Sequence, residues 1–368
     1  MSNALNLPEI DQEQALQLVK FFVQSQHNLF LFGQKGVGKT ELAIQAIQEC
    51  GYKIHYINLS VIERSDLAGY PDMLAKGETV HFKSPHFLPK LALNAKPDSV
   101  LLFDEADKVS PEVMAPLLEI LRFKKINGVP INASSCILTG NLPNERAHSQ
   151  AISSALLDRG AKYILNFNFE HWVEWAKTHG VHDLILGFLR SNPEFACGKI
   201  DDTSYASPSP RGWTLASRAL EQAKDLKMTD IGSVAHIVSG YVGSQAGRRF
   251  RMWYEYYRKF EPMVKVLIER GEMPFGFEEL MPTEKVVLVI SACYYAKQKV
   301  LADKTKGRFA YLERLCEFFQ RCQVEPEVRV LGLHGSFDFG MVQTRKLYTC
   351  KPFFDHFTRL NEGITLRR

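Results

Sequence analysis

The segment Gly33-Gln34-Lys35-Gly36-Val37-Gly38-Lys39-Thr40 constrains the fold of this chain more than any other feature of its sequence. Three glycines leave the backbone N–H groups of this segment open to approach by phosphate oxygens. Such a loop needs a strand before it and a helix after it. The short apolar run 28–32 and the helical spacing of 40–50 meet both requirements. We therefore predict a phosphate-binding loop over these eight residues.

The chemistry of this loop assigns a role to its last two side chains. The Lys39 ammonium is expected to reach the β- and γ-phosphates, and the Thr40 hydroxyl is expected to bind Mg²⁺. The helix that begins here adds the positive end of its dipole. The predicted cofactors are therefore ATP and Mg²⁺.

Alternating strands and helices predict an α/β fold with a parallel sheet. The crossover helix after the loop is followed by a second strand, and two further apolar runs and a fifth candidate strand come later. The predicted strands are 28–32, 53–59, 99–103, 135–139 and 161–167. A helix over 12–24 with Asp11 as its N-cap precedes the sheet. A helix over 111–122 leads into a hairpin that Asn127-Gly128 predicts. Beyond Phe169 the pattern is mostly helical, with a possible strand over 328–333.

Two carboxylates follow the third strand, in Phe103-Asp104-Glu105. Asp104 is expected to hold the hydration shell of Mg²⁺. Glu105 is expected to act as the general base that polarises the attacking water. An Asn-Lys-x-Asp motif, which would indicate GTP, does not occur in the sequence. The pair therefore favours ATP hydrolysis.

Three further residues are candidates for contact with the γ-phosphate. Asn141 follows the fourth strand and could position the water, although asparagine after glycine is also typical of a plain turn. Arg159 precedes the fifth strand and is a candidate arginine finger, with a surface salt bridge to Asp158 as the alternative. Arg211 opens a later helix and is a second candidate for phosphate sensing.

These motifs, in this order, resemble the AAA+ ATPases and, within them, the MoxR-like group. Further segments are similar to that group: Ser65-Asp66-Leu67-Ala68-Gly69-Tyr70, Leu157-Asp158-Arg159 and Ser209-Pro210-Arg211. Gly160 departs from the pattern, because the group usually has phenylalanine there. Asn58 stands at the position of the polar residue that restrains the catalytic glutamate; a plain strand-end asparagine is the alternative.

The resemblance implies an AAA+ α/β domain followed by a helical lid. The expected boundaries are an AAA+ domain at 1–204, a lid at 205–325 and a C-terminal extension of unknown role at 326–368. Within the first domain we expect a helix-2 insert at about 61–95, a pre-sensor-1 hairpin at about 123–132 and a helical insert at about 169–195.

The resemblance also implies a hexameric ring with active sites between subunits, which remodels a protein client, often with a von Willebrand factor A-domain (VWA) partner. The insert and the hairpin would face the pore. They offer Met73, Lys76, His81, Phe82, Phe123, Lys124 and Lys125, which could grip a polypeptide or a nucleic acid, or be plain solvated loop. A nucleic-acid motor of the same clade is therefore the alternative function.

Composition narrows these alternatives only slightly. The formal net charge of +4 and the lack of a long basic run disfavour nucleic acid as the main partner. Aromatic and basic residues alternate in the C-terminal tail, which more often indicates a small core than base stacking. We expect no membrane span and no signal peptide. Seven scattered cysteines favour free thiols in a cytoplasmic protein.

Overall fold

The computed structural model divides the chain into two compact units, 1–171 and 172–368. Each is described by itself. The described residues are 7–72, 74, 82–83, 85, 87–90, 92, 95–142, 153–198, 206–273, 276–303, 305–322, 324–337 and 339–365. Met73, Lys76 and His81, which we expected at the pore, lie outside them.

The first unit is built on a six-stranded sheet in which every pairing is parallel. The strand order is β1-β10-β2-β9-β6-β3. The sheet strands are β1 (Glu9–Ile10), β2 (Leu29–Gly33), β3 (Lys53–Asn58), β6 (Ser99–Asp104), β9 (Ser135–Gly140) and β10 (Ala161–Leu165). The predicted α/β class is confirmed. The two-residue strand β1 was not predicted.

The helices and small hairpins of this unit connect the sheet strands. The helices are α1 (Gln12–Gln24), α2 (Lys39–Glu49), α3 (Arg64–Ala68), α4 (Pro111–Phe123) and α5 (Ser154–Leu157). The hairpins are β4 (Tyr70–Pro71) with β5 (Phe82–Lys83), and β7 (Lys125–Ile126) with β8 (Val129–Pro130). Asp11 caps α1 as predicted, and its carboxylate accepts from the Gln14 N–H at 2.9 Å.

The apolar residues of the central strands explain why the sheet is buried on both faces. All five residues of β2 are buried, as are five of the six in β6 and all six in β9. Strands that read as continuous apolar runs are typical of a parallel sheet covered by helices. The carboxyl ends of these strands therefore meet at one edge, where loops can hold polar side chains.

The second unit is helical in its described residues. Its helices are α6 (Phe169–Thr178), α7 (Asp183–Ser191), α8 (Pro210–Asp225), α9 (Ile231–Val242), α10 (Ser244–Arg270), α11 (Pro282–Ala302), α12 (Phe309–Arg321), α13 (Pro326–Ser336), α14 (Phe339–Thr344) and α15 (Lys351–Thr365). Short 3₁₀ turns occur at Pro193–Phe195, Lys306–Arg308 and Leu347–Thr349. An aromatic core joins α7, α8 and α10, where the Phe188 ring centroid lies 5.4 Å from Trp213 and 5.3 Å from Phe250.

The strand expected over 328–333 is wrong, because α13 covers these residues. Their short apolar run contains Val328, Val330 and Leu331, which suit a strand as well as a buried helix. In the structure, Pro326 occupies the first turn of a helix, where its missing N–H costs nothing. The described helices include none that is both long and apolar enough to cross a membrane.

Candidate functional site

The loop over 33–40 connects the end of β2 to the start of α2. Gly36 and Gly38 adopt φ values of 80° and 95°, a region that L side chains rarely enter. Gly33 faces β10 so closely that a Cβ there would lie 2.7 Å from the Leu165 carbonyl oxygen. The helix that follows begins at Lys39, so the positive end of its dipole lies at the loop. This arrangement suits a phosphate anion.

Lys39 lies inside this loop and joins it to the neighbouring strand. Its side chain is buried, and its Nζ donates to the Gly33 carbonyl at 2.7 Å and to the Gln34 carbonyl at 3.0 Å. The same ammonium donates to Asn141 Oδ1 at 3.1 Å. The structure therefore brings Lys39 and Asn141 together, although the sequence separates them by 102 positions.

Asp104 ends β6 and accepts hydrogen bonds from three hydroxyl groups. Its Oδ2 accepts from Thr40 Oγ1 at 3.2 Å and from Tyr56 Oη at 3.0 Å, and its Oδ1 accepts from Thr139 Oγ1. Thr40 and Asp104 were predicted to lie together, whereas Tyr56 and Thr139 were not recognised. The latter two belong to the strands on either side of β6, so only the strand order reveals their contact.

The oxygen donors of Thr40 and Asp104 fit a magnesium ion. Mg²⁺ prefers hard oxygen ligands and is usually held by one or two protein oxygens plus water and substrate phosphates. Within the described ranges, no group of three or more His, Cys, Asp or Glu residues could hold a metal by itself. The Thr40 hydroxyl and the Asp104 carboxylate lie 3.2 Å apart beside the loop. They match a site in which Mg²⁺ is bound by protein oxygens together with water and substrate phosphates.

Glu105 has an unusual backbone and two polar partners. Its φ of 57° and ψ of 43° lie in the left-handed region, which costs a non-glycine residue on the order of 1–3 kcal/mol. Its Oε1 lies 3.0 Å from Lys108 Nζ. Partial burial raises the pKa of Glu105, but hydrogen bonds with Ser60 and Lys108 outweigh it and hold the pKa below its usual range. The carboxylate is therefore ionised at neutral pH.

Ser60, rather than Asn58, is the residue that contacts Glu105. Asn58 ends β3, and its Oδ1 accepts from the Ser60 N–H at 2.9 Å. Asn58 thus shapes the turn that presents Ser60. The expected role of Asn58 as a restraint on the glutamate stays a prediction, with Ser60 as the intermediate.

Asp107 is a further site residue that sequence reasoning missed. Its carboxylate is 4% exposed and accepts from the Asn141 N–H at 2.8 Å and from Asn141 Nδ2 at 3.2 Å. Gly140 leaves room for this contact, because a Cβ there would lie 3.3 Å from Asp107 Oδ1. The available signal was a second aspartate three positions after Asp104, on the short turn Ala106–Lys108.

Arg159 and Gly160 lie at the opposite edge of the sheet from the phosphate loop. They form the turn between α5 and β10, beside the residue that precedes β2. The five residues of β10, at about 3.3 Å each, separate this turn from the loop edge. Arg211 is the second residue of α8 and belongs to the second unit. Its role as a phosphate sensor stays a prediction.

The structure explains the departure at Gly160. A Cβ there would lie 2.7 Å from the Asn28 carbonyl oxygen and 2.8 Å from the Phe30 ring, so a larger residue would not fit this turn. The register of β10 on β2 is regular from Ala161 opposite Leu29 to Leu165 opposite Gly33.

Comparison with known proteins finds one family similar to part of the first unit. Residues 29–164 match the sequence profile of the ATPase family associated with various cellular activities (AAA). Over these residues the chain is therefore similar to this ATPase family.

Curated relatives match part of the chain. The ATP-binding subunit ClpL of the ATP-dependent Clp protease from Staphylococcus aureus strain USA300 is 34% identical over 138 residues. The same subunit from strain MRSA252 is 39% identical over 99 residues. The first match covers 33% of this chain and 19% of the relative, and the second covers 25% and 14%. This chain thus matches only a minor part of these relatives.

Among solved structures, the Holliday junction branch migration motor RuvB of Thermotoga maritima aligns over 90% of this chain and 85% of its own. The sequence identity is 13% and the TM-score is 0.32. This likeness is too weak to say anything about function.

Proposed function

We propose that this chain hydrolyses ATP in a Mg²⁺-dependent reaction, as the match of residues 29–164 to the AAA ATPase family supports. One observation carries the proposal. At the carboxyl edge of the sheet, the Lys39 ammonium lies within 3.1 Å of Asn141 Oδ1, and the Thr40 hydroxyl lies 3.2 Å from Asp104 Oδ2. A phosphate cradle, a magnesium carboxylate and a polar side chain for the water therefore converge on one point.

Each residue then has a defined task. Lys39 and the N–H groups of the loop hold the phosphates, and Thr40 and Asp104 hold Mg²⁺, which when bound neutralises charge on the phosphate oxygens. Glu105 accepts the proton of the attacking water, for which its carboxylate is already ionised. Asn141, anchored by Asp107, orients that water.

We further propose that Arg159 completes the site of a neighbouring copy rather than its own. The turn that carries Arg159 lies at the edge of the sheet opposite the phosphate loop. A ring, expected to be a hexamer, would bring the amino edge of one copy to the carboxyl edge of the next. Arg159 would then stabilise the charge that develops on the γ-phosphate. Arg211 is proposed to contact phosphate in the same assembly.

The proposed work of the ring is to remodel a protein client in the manner of the MoxR-like group, with a VWA-domain partner. Two small hairpins support this proposal. Phe82 on β5 and Phe123 at the end of α4 are 41% and 55% exposed. The Asn127 side chain donates to the Ala68 carbonyl and so ties the β7–β8 hairpin to α3 of the insert. The two elements can therefore present one surface to a polypeptide.

The test is ATP turnover per subunit across a range of protein concentrations, with assembly followed by light scattering. We expect turnover to require Mg²⁺, to rise as rings form and to vanish in Lys39→Ala. If wild-type rings form yet hydrolyse no ATP, the proposed activity is wrong.

A second measurement separates a protein client from a nucleic acid. Turnover is compared with and without single- and double-stranded DNA at two salt concentrations. We expect DNA to change turnover little. Strong stimulation by DNA that salt suppresses would indicate that the ring acts on DNA and not on a protein client. Affinity capture with Glu105→Gln, which should retain ATP, then identifies the client and the partner.

A further inference from the structure

Asn28 precedes β2 and is a buried polar residue with no task in the proposed reaction. It is 8% exposed and lies at the amino edge of the sheet, whereas the phosphate loop begins at the other end of the same strand. A neutral asparagine side chain offers two N–H donors and a carbonyl acceptor with two lone pairs. A buried amide of this kind is costly unless these groups are paired.

The donors of Asn28 reach two carbonyl oxygens. Its Nδ2 donates to the Leu121 carbonyl at 2.8 Å and to the Arg159 carbonyl at 2.9 Å. The backbone of Asn28 holds the same turn, because its carbonyl accepts from the Ala161 N–H at 3.1 Å. Asn28 therefore contacts the residues on either side of Gly160.

The acceptor of Asn28 receives two further hydrogen bonds. Its Oδ1 accepts from Lys124 Nζ at 2.6 Å and from the Cys136 N–H at 3.1 Å. Lys124 ends α4 in a left-handed conformation with φ of 51°, directly before the β7–β8 hairpin. One amide thus joins the end of α4, the start of β9 and the Arg159 turn. Both of its N–H donors and both lone pairs of its oxygen are in hydrogen bonds.

The Arg159 side chain is held less firmly than its backbone. Its Nε is buried and has no hydrogen-bond partner among the described residues. Arg159 lines a cavity of about 720 Å³ at this edge, together with Arg122, Lys124 and Lys125. The direction in which Arg159 projects therefore depends on the position of its main chain, and the Asn28 amide fixes that position.

We propose that Asn28 is a positioning residue for Arg159, which acts on the catalytic site of a neighbouring copy and not on nucleotide binding by its own loop. The inference rests on the proposed function, since it needs Arg159 to work in trans. The alternative is that Asn28 acts within its own chain. Asn28 could instead support its own phosphate loop through β2, in which case a substitution would harm the chain that carries it.

Subunit mixing separates these two possibilities. A Lys39→Ala chain lacks a competent ATP site but offers Arg159, whereas an Arg159→Ala chain offers the site but lacks the arginine. Rings mixed from these two chains should regain turnover, because some sites then contain both groups. Asn28→Asp is introduced into one partner at a time. It keeps the acceptor for Lys124 and loses the donors to the Leu121 and Arg159 carbonyls.

We expect Asn28→Asp to lower the turnover of mixed rings by about ten- to a hundred-fold when the Lys39→Ala chain carries it. In the Arg159→Ala chain it should leave turnover within about two-fold, a margin far below that misplacement effect. Because the same substitution is made in both placements, a general folding defect would lower turnover in both. Gly160→Ala, which disturbs the same turn from the other side, should show the same asymmetry.

The outcomes separate the two proposals. Equal losses in both placements, or a loss confined to the Arg159→Ala chain, would overturn the role of Asn28 and leave the trans arginine intact. If the unsubstituted mixture regains no turnover, Arg159 does not act in trans, and the inference about Asn28 is overturned with it.

Discussion

The two edges of the six-stranded sheet differ in how their residues are held. At the carboxyl edge, side chains contact one another: Lys39 with Asn141, Thr40 with Asp104, and Asp107 with Asn141. At the amino edge, a single side chain, Asn28, binds the main chain of α4, of β9 and of the Arg159 turn.

This difference predicts which substitutions change the chemical step within one chain and which act only between chains. Side-chain contacts at the carboxyl edge place donors and acceptors around a phosphate, so substitutions there should change the chemical step directly. Main-chain contacts at the amino edge orient Arg159, which is proposed to act on the site of a neighbouring copy. Substitutions there should therefore act only in an assembly. Four predictions test this contrast, from the largest expected effect to the smallest.

Removal of the arginine from the amino edge should have the largest effect. We expect Arg159→Ala to lower turnover by about 10³- to 10⁵-fold, the range known for arginine fingers, while each subunit still binds ATP. Turnover and ATP affinity are measured on the same preparation. Arg218→Ala, which removes an exposed arginine from α8, is the matched control. Turnover near the wild-type value would mean that the finger is another residue.

Removal of the base from the carboxyl edge should come next. We expect Glu105→Gln to lower turnover by about 10²- to 10⁴-fold with ATP binding retained, because the amide cannot take a proton from water. Single-turnover hydrolysis and ATP binding are the measurements. Glu112→Gln, an exposed position on α4, should behave as the wild type. An unchanged rate would remove Glu105 as the base.

Loss of an anchor should cost less than loss of a reacting group. We expect Asp107→Ala to lower turnover by about ten-fold, because Asn141 would lose charge-assisted hydrogen bonds worth about 1.5–3 kcal/mol. Asp107→Asn keeps an acceptor for the Asn141 N–H and should recover part of the loss. Steady-state turnover of the two variants decides; if they are equally active, Asp107 does not work through Asn141.

The smallest effect should appear in the pH profile. The base works only when ionised, so turnover is lost as pH falls through the pKa of Glu105, which lies below its usual range. Ser60→Ala removes one hydrogen bond that lowers this pKa and leaves burial, which raises it, less opposed. The acid limb of turnover should therefore move to higher pH. A shift of the acid limb to lower pH would contradict this account. The same shift to higher pH when Ser60→Ala is made in the Glu105→Gln background would contradict it as well.

The sequence alone was enough to predict the class of the fold, which is confirmed, and to propose the phosphate loop. Both depend on local patterns, namely apolar runs of strand length and glycines that the backbone requires. Asp104, Glu105 and Asn141 were found for the same reason, because each directly follows an apolar strand. In the structure Asp104 ends β6 and Asn141 follows β9, and the roles of all three residues stay proposals.

Only the tertiary structure decided which distant residues meet. Tyr56 reaches Asp104 because β3 and β6 are neighbours in the sheet, and Asp107 anchors Asn141 because β6 lies beside β9. The contacts of Asn28 are 93, 96, 108 and 131 positions away in sequence. A single sequence has no local signal for such contacts. Gly160 lies close to the Asn28 carbonyl, and residues Pro326–Ser336 form a helix. Both depend on tertiary contacts, which local propensity alone does not predict.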